Sequence, residues 1–311
     1  MIVILDPGAL TTVQDRGRYG QLRFGIPPSG PMDDHACVIA NRLVGNTDAA
    51  AALECTLSGP RFKAEIPCAM AVTGAEMPVK INGTPAPTWT TLRLAPGDEV
   101  RIAMARSGLR GYVAFGGGIA LPGVMGSQST YLRGRMGGLK GRMLKAGDRL
   151  ALNAADMPAA MRMPAFLLPH YESEIEAHVV LGPQSDRFTD RGIAAFLAST
   201  YAMLPQSDRM GARLKGERIE HAAGHDIVSD GTALGSIQVP GDGQPIVLLV
   251  DRQSTGGYTK IATVCSFDIR RIAQLRPGQS VRFKSVTVEQ AHVLLATERA
   301  ALAALTLEKI S

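Results

Sequence analysis

Aromatic side chains are scarce. They make up 5% of 311 residues, and tryptophan occurs once. Bases of a nucleic acid would find few surfaces to stack on, so nucleic acid ranks last among expected partners. Cysteine is scarcer still, with residues only at 37, 55, 68 and 265 and no CxxC pair. That excludes a disulfide framework and reads as buried free thiols in a reducing compartment. No apolar run approaches the ~20 residues of a membrane span; the best, Ile246 to Val250, suits one buried strand. The opening Met1 to Gly8 lacks a basic leader and reads as a first strand ended by a turn, so a cytoplasmic protein with no membrane association is expected. Chemical signatures are missing as well. There is no GxxxxGK[ST] phosphate loop, no GxGxxG, no GxSxG elbow and no HExxH. Without Met-Lys-Met, the chain itself is expected to carry no biotin. His221 and His225 are four apart, but Gly224 intervenes and no third ligand announces itself, so no metal site is expected.

What the sequence does have is turns. Gly 34 and Pro 19 accompany 45% apolar residues, which points to many short strands around a sizeable core. Three segments share one pattern: Leu94 to Ile102, Leu144 to Leu152, and Leu275 to Phe283. Each has a Pro-Gly or Ala-Gly turn followed by apolar/polar alternation, the mark of a strand with one buried face. A second echo sets Gly126 to Tyr131 against Arg252 to Thr255 with Tyr258. Both suggest two related β-rich domains. Helices are few. Asp33 caps one whose shared face is Ala36, Ile39, Ala40, Leu43 and Val44, with Gly45 at its end. A second falls within 186–199, and a third starts at Thr287 with Gln290 completing a capping box. Residues 153–172 make the best linker. The fold expected is mainly β with a few helices, as domains 1–160 and 161–311.

Net charge is +5, and the excess is uneven: 17 basic against 11 acidic residues up to 155, then 16 against 17. Arg133, Arg135, Lys140, Arg142, Lys145 and Arg149 are opposed locally only by Asp148. A solvated basic loop is the plain reading; an acidic partner or an anionic substrate is the functional one.

The remaining strong features are small residues flanking charged ones. They run from Thr12-Val13-Gln14-Asp15-x-Gly17-Arg18 through Gly30-x-Met32-Asp33 and Glu54-x-Thr56-Leu57-x-Gly59-Pro60. Gly126-Ser127-x-Ser129-Thr130 and Gly137-Gly138-x-x-Gly141-Arg142 follow. The second half adds Gly182-Pro183-Gln184, Ser207-x-Arg209-Met210-Gly211-x-Arg213-Leu214 and Asp251-x-x-x-Thr255-Gly256-Gly257-Tyr258. In this order, nearly end to end, the strings resemble a carboxyltransferase-like family. It includes the C component of bacterial 5-oxoprolinase, the regulator KipA, and part of the carboxyltransferase domain of urea carboxylase (allophanate hydrolase subunit 2 type).

The resemblance implies two cyclophilin-like β-barrel domains. It also implies partners: a KipI-like B component, expected as a separate chain, and a LamB/YcsF-like A component. The activity implied is ATP-dependent opening of 5-oxoproline, a small amide substrate, to glutamate, with ATP and Mg²⁺ used somewhere in the complex. Two other readings stay open: a carboxyltransferase acting with a biotin carrier on a urea- or amide-like substrate, and a KipA-like protein antagonising a kinase inhibitor.

Such chemistry asks for cations, N–H donors and orienting hydroxyls. Arg209 and Arg213 suit a bidentate clamp on carboxylate or phosphate. Gly256 and Gly257 admit an anion close to the backbone. Asp251 ends a buried apolar strand, and Thr255, Tyr258 and Gln238 are candidates to orient substrate. Each has a plainer alternative: Arg209 and Arg213 pairing with Asp208 or Glu217, Asp251 bonding the turn after it, and Gly256-Gly257 as a hairpin turn. In the first half, Asp15 and Arg18 are expected to lock the first loop by an ion pair and Asp33 to cap a helix, with a catalytic role the lesser alternative.

Overall fold

The computed structural model describes residues 1–310. Two compact units emerge, and neither is one continuous stretch. The first comprises Met1–Arg18, Ser29–Tyr171 and the residues from Thr306; the second comprises Tyr19–Pro28 and Glu172–Leu305.

The first unit is built on two sheets. One has six strands in the spatial order Arg149–Leu150, Ile2–Asp6, Arg61–Ala64, Glu99–Ile102, Val79–Ile81, Thr84–Ala86. The other has five, in the order Leu10–Gln14, Ala52–Thr56, Arg110–Phe115, Cys68–Gly74, Leu92–Leu94. Every pairing in both is antiparallel. Neither sheet closes on itself, so the expectation of a barrel in this half is met only as a pair of open sheets. Their inner faces meet around Ile2, Ile4, Phe62, Val72 and Phe115, all at 0–1% exposure. Phe62 meets Phe115 edge-on at 5.4 Å, a favoured ring geometry.

Cys68–Gly74 and Arg110–Phe115 are buried at every residue. A strand reads that way when both its faces are covered. The outer cover is the helix α1 (Asp34–Leu43). The Asp33 carboxylate accepts from Ala36 N at 3.0 Å, the cap that the sequence indicated. Thr73 Oγ1 donates to the Ala36 carbonyl at 2.7 Å, and Tyr112 Oη accepts from Asp33 N at 2.8 Å.

The second unit holds a closed seven-stranded barrel: Glu174–Leu181, Lys260–Val264, Ser236–Gln238, Ile246–Leu248, Gly211–Lys215, Tyr201–Met203, Ser280–Ser285. It closes through one parallel pairing, Glu174 opposite Ser280 through Val179 opposite Ser285. Helix α2 (Asp190–Ala198) lays Phe196 over Phe283, rings stacked at 4.8 Å. Helix α3 (Ser266–Gln274) follows the strand Lys260–Val264 directly and was not foreseen. Its apolar positions Ile269, Ile272 and Ala273 keep helical spacing, but no capping side chain marks its start at Cys265. Helix α4 (Val288–Ala304) begins at the expected Thr287/Gln290 capping box. An exposed ribbon, Asp226–Gly231 against Thr255–Tyr258, completes this unit.

The repeated turn is real in three dimensions. Gly97, Gly147 and Gly278 take φ of 101°, 86° and 86°, a region that favours glycine. In each turn the next side chain reaches back to a backbone N–H: Asp98 to Ala95 N, Asp148 to Lys145 N, Gln279 to Arg276 N, at 2.7–2.8 Å. Each then enters a strand.

Candidate functional site

In the first unit, the singled-out residues brace loops, Asp15 through hydroxyl and backbone donors in place of the expected ion pair with Arg18. Asp15 accepts from Ser127 Oγ at 2.5 Å, Ser129 Oγ at 2.6 Å, Gln128 N at 2.6 Å and Gly17 N at 2.8 Å. Burial alone would raise its pKa, but these four donors bring it below the usual carboxylate value. Arg18, 1% exposed, donates to the carbonyls of Ser129 and Val124. Asp33 is the helix cap already described.

The residues expected in the second unit separate into two groups. Arg209 and Asp251 form a buried ion pair. Arg209 Nε donates to Asp251 Oδ2 at 2.8 Å and Nη2 to Oδ1 at 3.2 Å, with both side chains 5% exposed. Asp251 N also donates to the Arg209 carbonyl at 2.9 Å. Neither residue takes the plainer partner weighed for it, and Arg213 does not join them. It sits on the outward face of Gly211–Lys215, exposed, so the two arginines do not converge as a clamp.

The other group lies at the ribbon. Thr255, Gly256, Gly257 and Tyr258 form one of its strands, paired with Asp226–Gly231 so that Asp230 stands opposite Gly256. Gly256-Gly257 is therefore mid-strand, not a hairpin turn. Gly256 allows a close approach: a Cβ there would lie 2.3 Å from Gln238 Nε2 and push the end of that side chain away. Gln238, 3% exposed, accepts from Gln253 Nε2 at 3.1 Å through its Oε1. Its own Nε2 is buried with no acceptor, a costly state for an amide donor unless a ligand completes it. Thr255 and Tyr258 are exposed; the Tyr258 ring stands 6.4 Å from that of His225.

Sequence reasoning passed over the residues that give this corner its charge. Lys260, 1% exposed, stands opposite Gln238 in the barrel. Its ammonium donates to Asp230 Oδ2 at 3.3 Å, and its backbone N–H donates to Gln184 Oε1 at 3.1 Å. Asp230 is held below its ordinary pKa by the Gly231 N–H first, then by Lys260. Arg252, 5% exposed, donates to the Thr232 carbonyl at 3.1 Å, and burial lowers its pKa. A signal was present for Lys260: a lysine opening a buried strand, Lys-Ile-Ala-Thr-Val, is out of place unless its charge is used. Gln184 stood in the Gly-Pro-Gln string without a role being drawn from it.

Three carboxamides, one buried ammonium and one exposed carboxylate thus gather at one end of the barrel. The set can hydrogen-bond a small amide or carboxylate through Gln238 Nε2 and Lys260 Nζ. Among the described residues, no three metal-ligating side chains converge, and no helix is long and apolar enough to cross a membrane.

Comparison with known proteins gives a consistent result. The family described as carboxyltransferase domain, subdomain A and B, matches residues 24–285. The chain is 38% identical over 293 residues to the 5-oxoprolinase C subunit of Escherichia coli, covering 94% of this chain and 93% of that protein. It is 33% identical over 325 residues to urea amidolyase of Lachancea kluyveri, covering 96% of this chain but 18% of that protein. Among solved structures, K. lactis urea amidolyase superposes with a TM-score of 0.92 at 31% identity, over 98% of this chain and 20% of that one.

Proposed function

The chain belongs to the carboxyltransferase-domain family of subdomains A and B, and from that premise we propose that it serves as the C component of an ATP-dependent 5-oxoprolinase. The observation that carries this reading is the match to the 5-oxoprolinase C subunit over nearly the full length of both proteins. Urea amidolyase, by contrast, is matched over less than a fifth of its length. In this reading the chain works with a KipI-like B component and a LamB/YcsF-like A component, and the complex opens the lactam of 5-oxoproline to glutamate.

The residues at the ribbon suit a share of that task. A lactam offers a carbonyl oxygen and, on its ring, a carboxylate. Gln238 Nε2 supplies a neutral donor and Lys260 Nζ a charged one, both out of bulk water, where such bonds are stronger. Gln253 fixes the orientation of Gln238, and Asp230 holds Lys260 until an anion competes for it. ATP would supply the drive by phosphorylating the lactam oxygen; water would then add at that carbon, the C–N bond would break to free the amine, and a second water would release phosphate to give glutamate. The buried Asp251 lies against Arg209 and braces the fold beside this corner.

The test is glutamate release from 5-oxoproline by this chain reconstituted with both partners. Release that requires ATP, Mg²⁺ and all three proteins is the expected result. A well-formed complex that releases none would overturn the reading. A second reading, carboxyl transfer with a biotin carrier to a urea-like amide, draws on the superposition with urea amidolyase. Capture of a biotin-carrier protein, with carboxyl transfer to urea, would favour it.

A further inference from the structure

A cavity of about 550 Å³ opens in the second unit beside the start of α2. Arg191 lines it from α2, and Glu217, Arg218, Glu220, His221 and His225 line it from the segment after Gly211–Lys215. Gln184, Gln238 and Lys260 take no part, so it is a different place from the cluster at the ribbon.

Four of its charged groups, Arg191, Glu217, Arg218 and Glu220, have no counter-ion among the described residues. Arg191 is in no ion pair. Arg218 is in none either, and its one bond is a long 3.4 Å contact to the Gly241 carbonyl. The Glu217 carboxylate accepts no hydrogen bond; its effect is felt at the Tyr201 phenol, which burial first and then this charge push up to about 12. Glu220 differs, since its Oε2 already accepts from Thr189 Oγ1 at 3.1 Å. His221 is neutral near pH 7, because burial lowers its pKa. Its Nε2 faces the Val239 carbonyl at 3.1 Å and so carries the hydrogen. The ring therefore adds no charge. What remains is two guanidinium groups and two carboxylates, of which Glu220 is held by Thr189 and Glu217 accepts no hydrogen bond, around a space larger than a single amino acid.

A site with both signs of charge, each uncompensated, fits a ligand that also carries both. We propose that this cavity binds an amino dicarboxylate: two carboxylates on Arg191 and Arg218, and an ammonium on Glu217. Arginine is the side chain best matched to carboxylates. The proposal rests on the function above only in naming glutamate as the relevant member. 5-Oxoproline has one carboxylate and a lactam nitrogen that carries no charge, so the same groups select product against substrate. The cavity is thus a product site.

The test is calorimetric titration of the full chain with L-glutamate, L-aspartate, 5-oxoproline and inorganic phosphate. Glutamate is expected to bind saturably at one site, with aspartate comparable and 5-oxoproline at least about tenfold weaker. Arg218→Ala and Glu217→Gln each remove one charge-assisted contact, which is worth about tenfold or more in affinity. Both positions are exposed, so the unfolding midpoints stay at the wild-type value. Four results would overturn the proposal: no saturable glutamate binding, 5-oxoproline binding as tightly, phosphate displacing glutamate at equal concentration, or unchanged affinity in both variants. Binding is read on this chain alone and glutamate release on the complex. Release without binding sinks only the product site, and binding without release sinks only the oxoprolinase reading.

Discussion

Asp251→Asn removes the charge that faces Arg209 and leaves its shape nearly intact. The guanidinium then stays buried with a neutral amide where a carboxylate stood at 2.8 and 3.2 Å. Breaking one side of a buried pair costs about 3–5 kcal/mol, because the surviving charge is still desolvated. Against a total stability of about 5–15 kcal/mol, that is a large share. With a denaturant slope of about 3 kcal/mol per M, the urea midpoint of the second unit falls by about 1–1.7 M. Arg209→Met does the same from the other side. The double variant Arg209→Met/Asp251→Leu removes both charges and costs clearly less than the two single losses added, since no buried ion is left alone.

Urea unfolding followed by circular dichroism, with the four proteins of the cycle, reads these differences. Additive losses, or single variants within about 0.5 kcal/mol of wild type, would refute the assignment of the pair as a brace. The same proteins separate bracing from chemistry. If Asp251→Asn keeps its midpoint but the reconstituted complex releases no glutamate, the carboxylate acts in the reaction. If midpoint and activity fall together and the double variant restores both, it acts on the fold.

Gly256→Ala places a methyl 2.3 Å from Gln238 Nε2. The far end of Gln238 moves and its bond to Gln253 is lost, so stability falls by only about 1 kcal/mol while activity of the complex drops more than tenfold; an unchanged rate argues against Gln238 as a donor to substrate. Asp15 has a folded pKa below 3.8, so its contribution is present above that value and lost as pH falls through the lower one. Ser127→Ala/Ser129→Ala removes two of the donors holding it down, and acid unfolding then begins at higher pH, as a fluorescence-monitored titration reports. Burial pushes Cys55 up to about 12 and Cys68 and Cys265 up to about 11, and Cys37 higher still. At pH 8 a thiol reagent should label none of the four until the chain unfolds; rapid labelling of any one in the native state contradicts its placement.

The sequence disclosed what is local. The Asp33 cap, the Thr287/Gln290 box and the three glycine turns all depend on residues within four positions of each other, and all are found as read. It disclosed less where a contact spans the chain. Arg209 and Asp251 are 42 positions apart, and nearer candidates, Asp208 and Glu217, competed on paper. In fact Asp208 Oδ1 accepts from Met210 N and Gly211 N, a local turn that leaves Arg209 to meet Asp251 at the end of the neighbouring strand. Closure was hidden for a similar reason. Alternation shows that a strand has a buried face, but whether a sheet closes depends on which strands pair. In the second unit the decisive pairing joins Glu174–Leu181 to Ser280–Ser285, about a hundred residues away.

That closure explains why polar chemistry gathers where it does. Barrel strands normally send apolar side chains inward, and the cross-strand partners Ile237, Val247 and Ala262 share one face at 0% exposure. Gln238 and Lys260 are also buried, yet they stand opposite each other where the pairing of their strands ends. Just before Lys260 the chain runs as the ribbon strand Thr255–Tyr258; the ribbon's Asp230 meets the Lys260 ammonium and its Gly256 leaves room for the Gln238 amide. Neither half is sufficient by itself. Without the ribbon, Lys260 would lose its counter-ion; without the barrel wall, Gln238 would be solvated and its spare donor would select nothing. A site assembled from a barrel rim and a ribbon is legible only once both are placed: the sequence marked Gln238, Gly256 and the out-of-place Lys260 singly, but not that they meet.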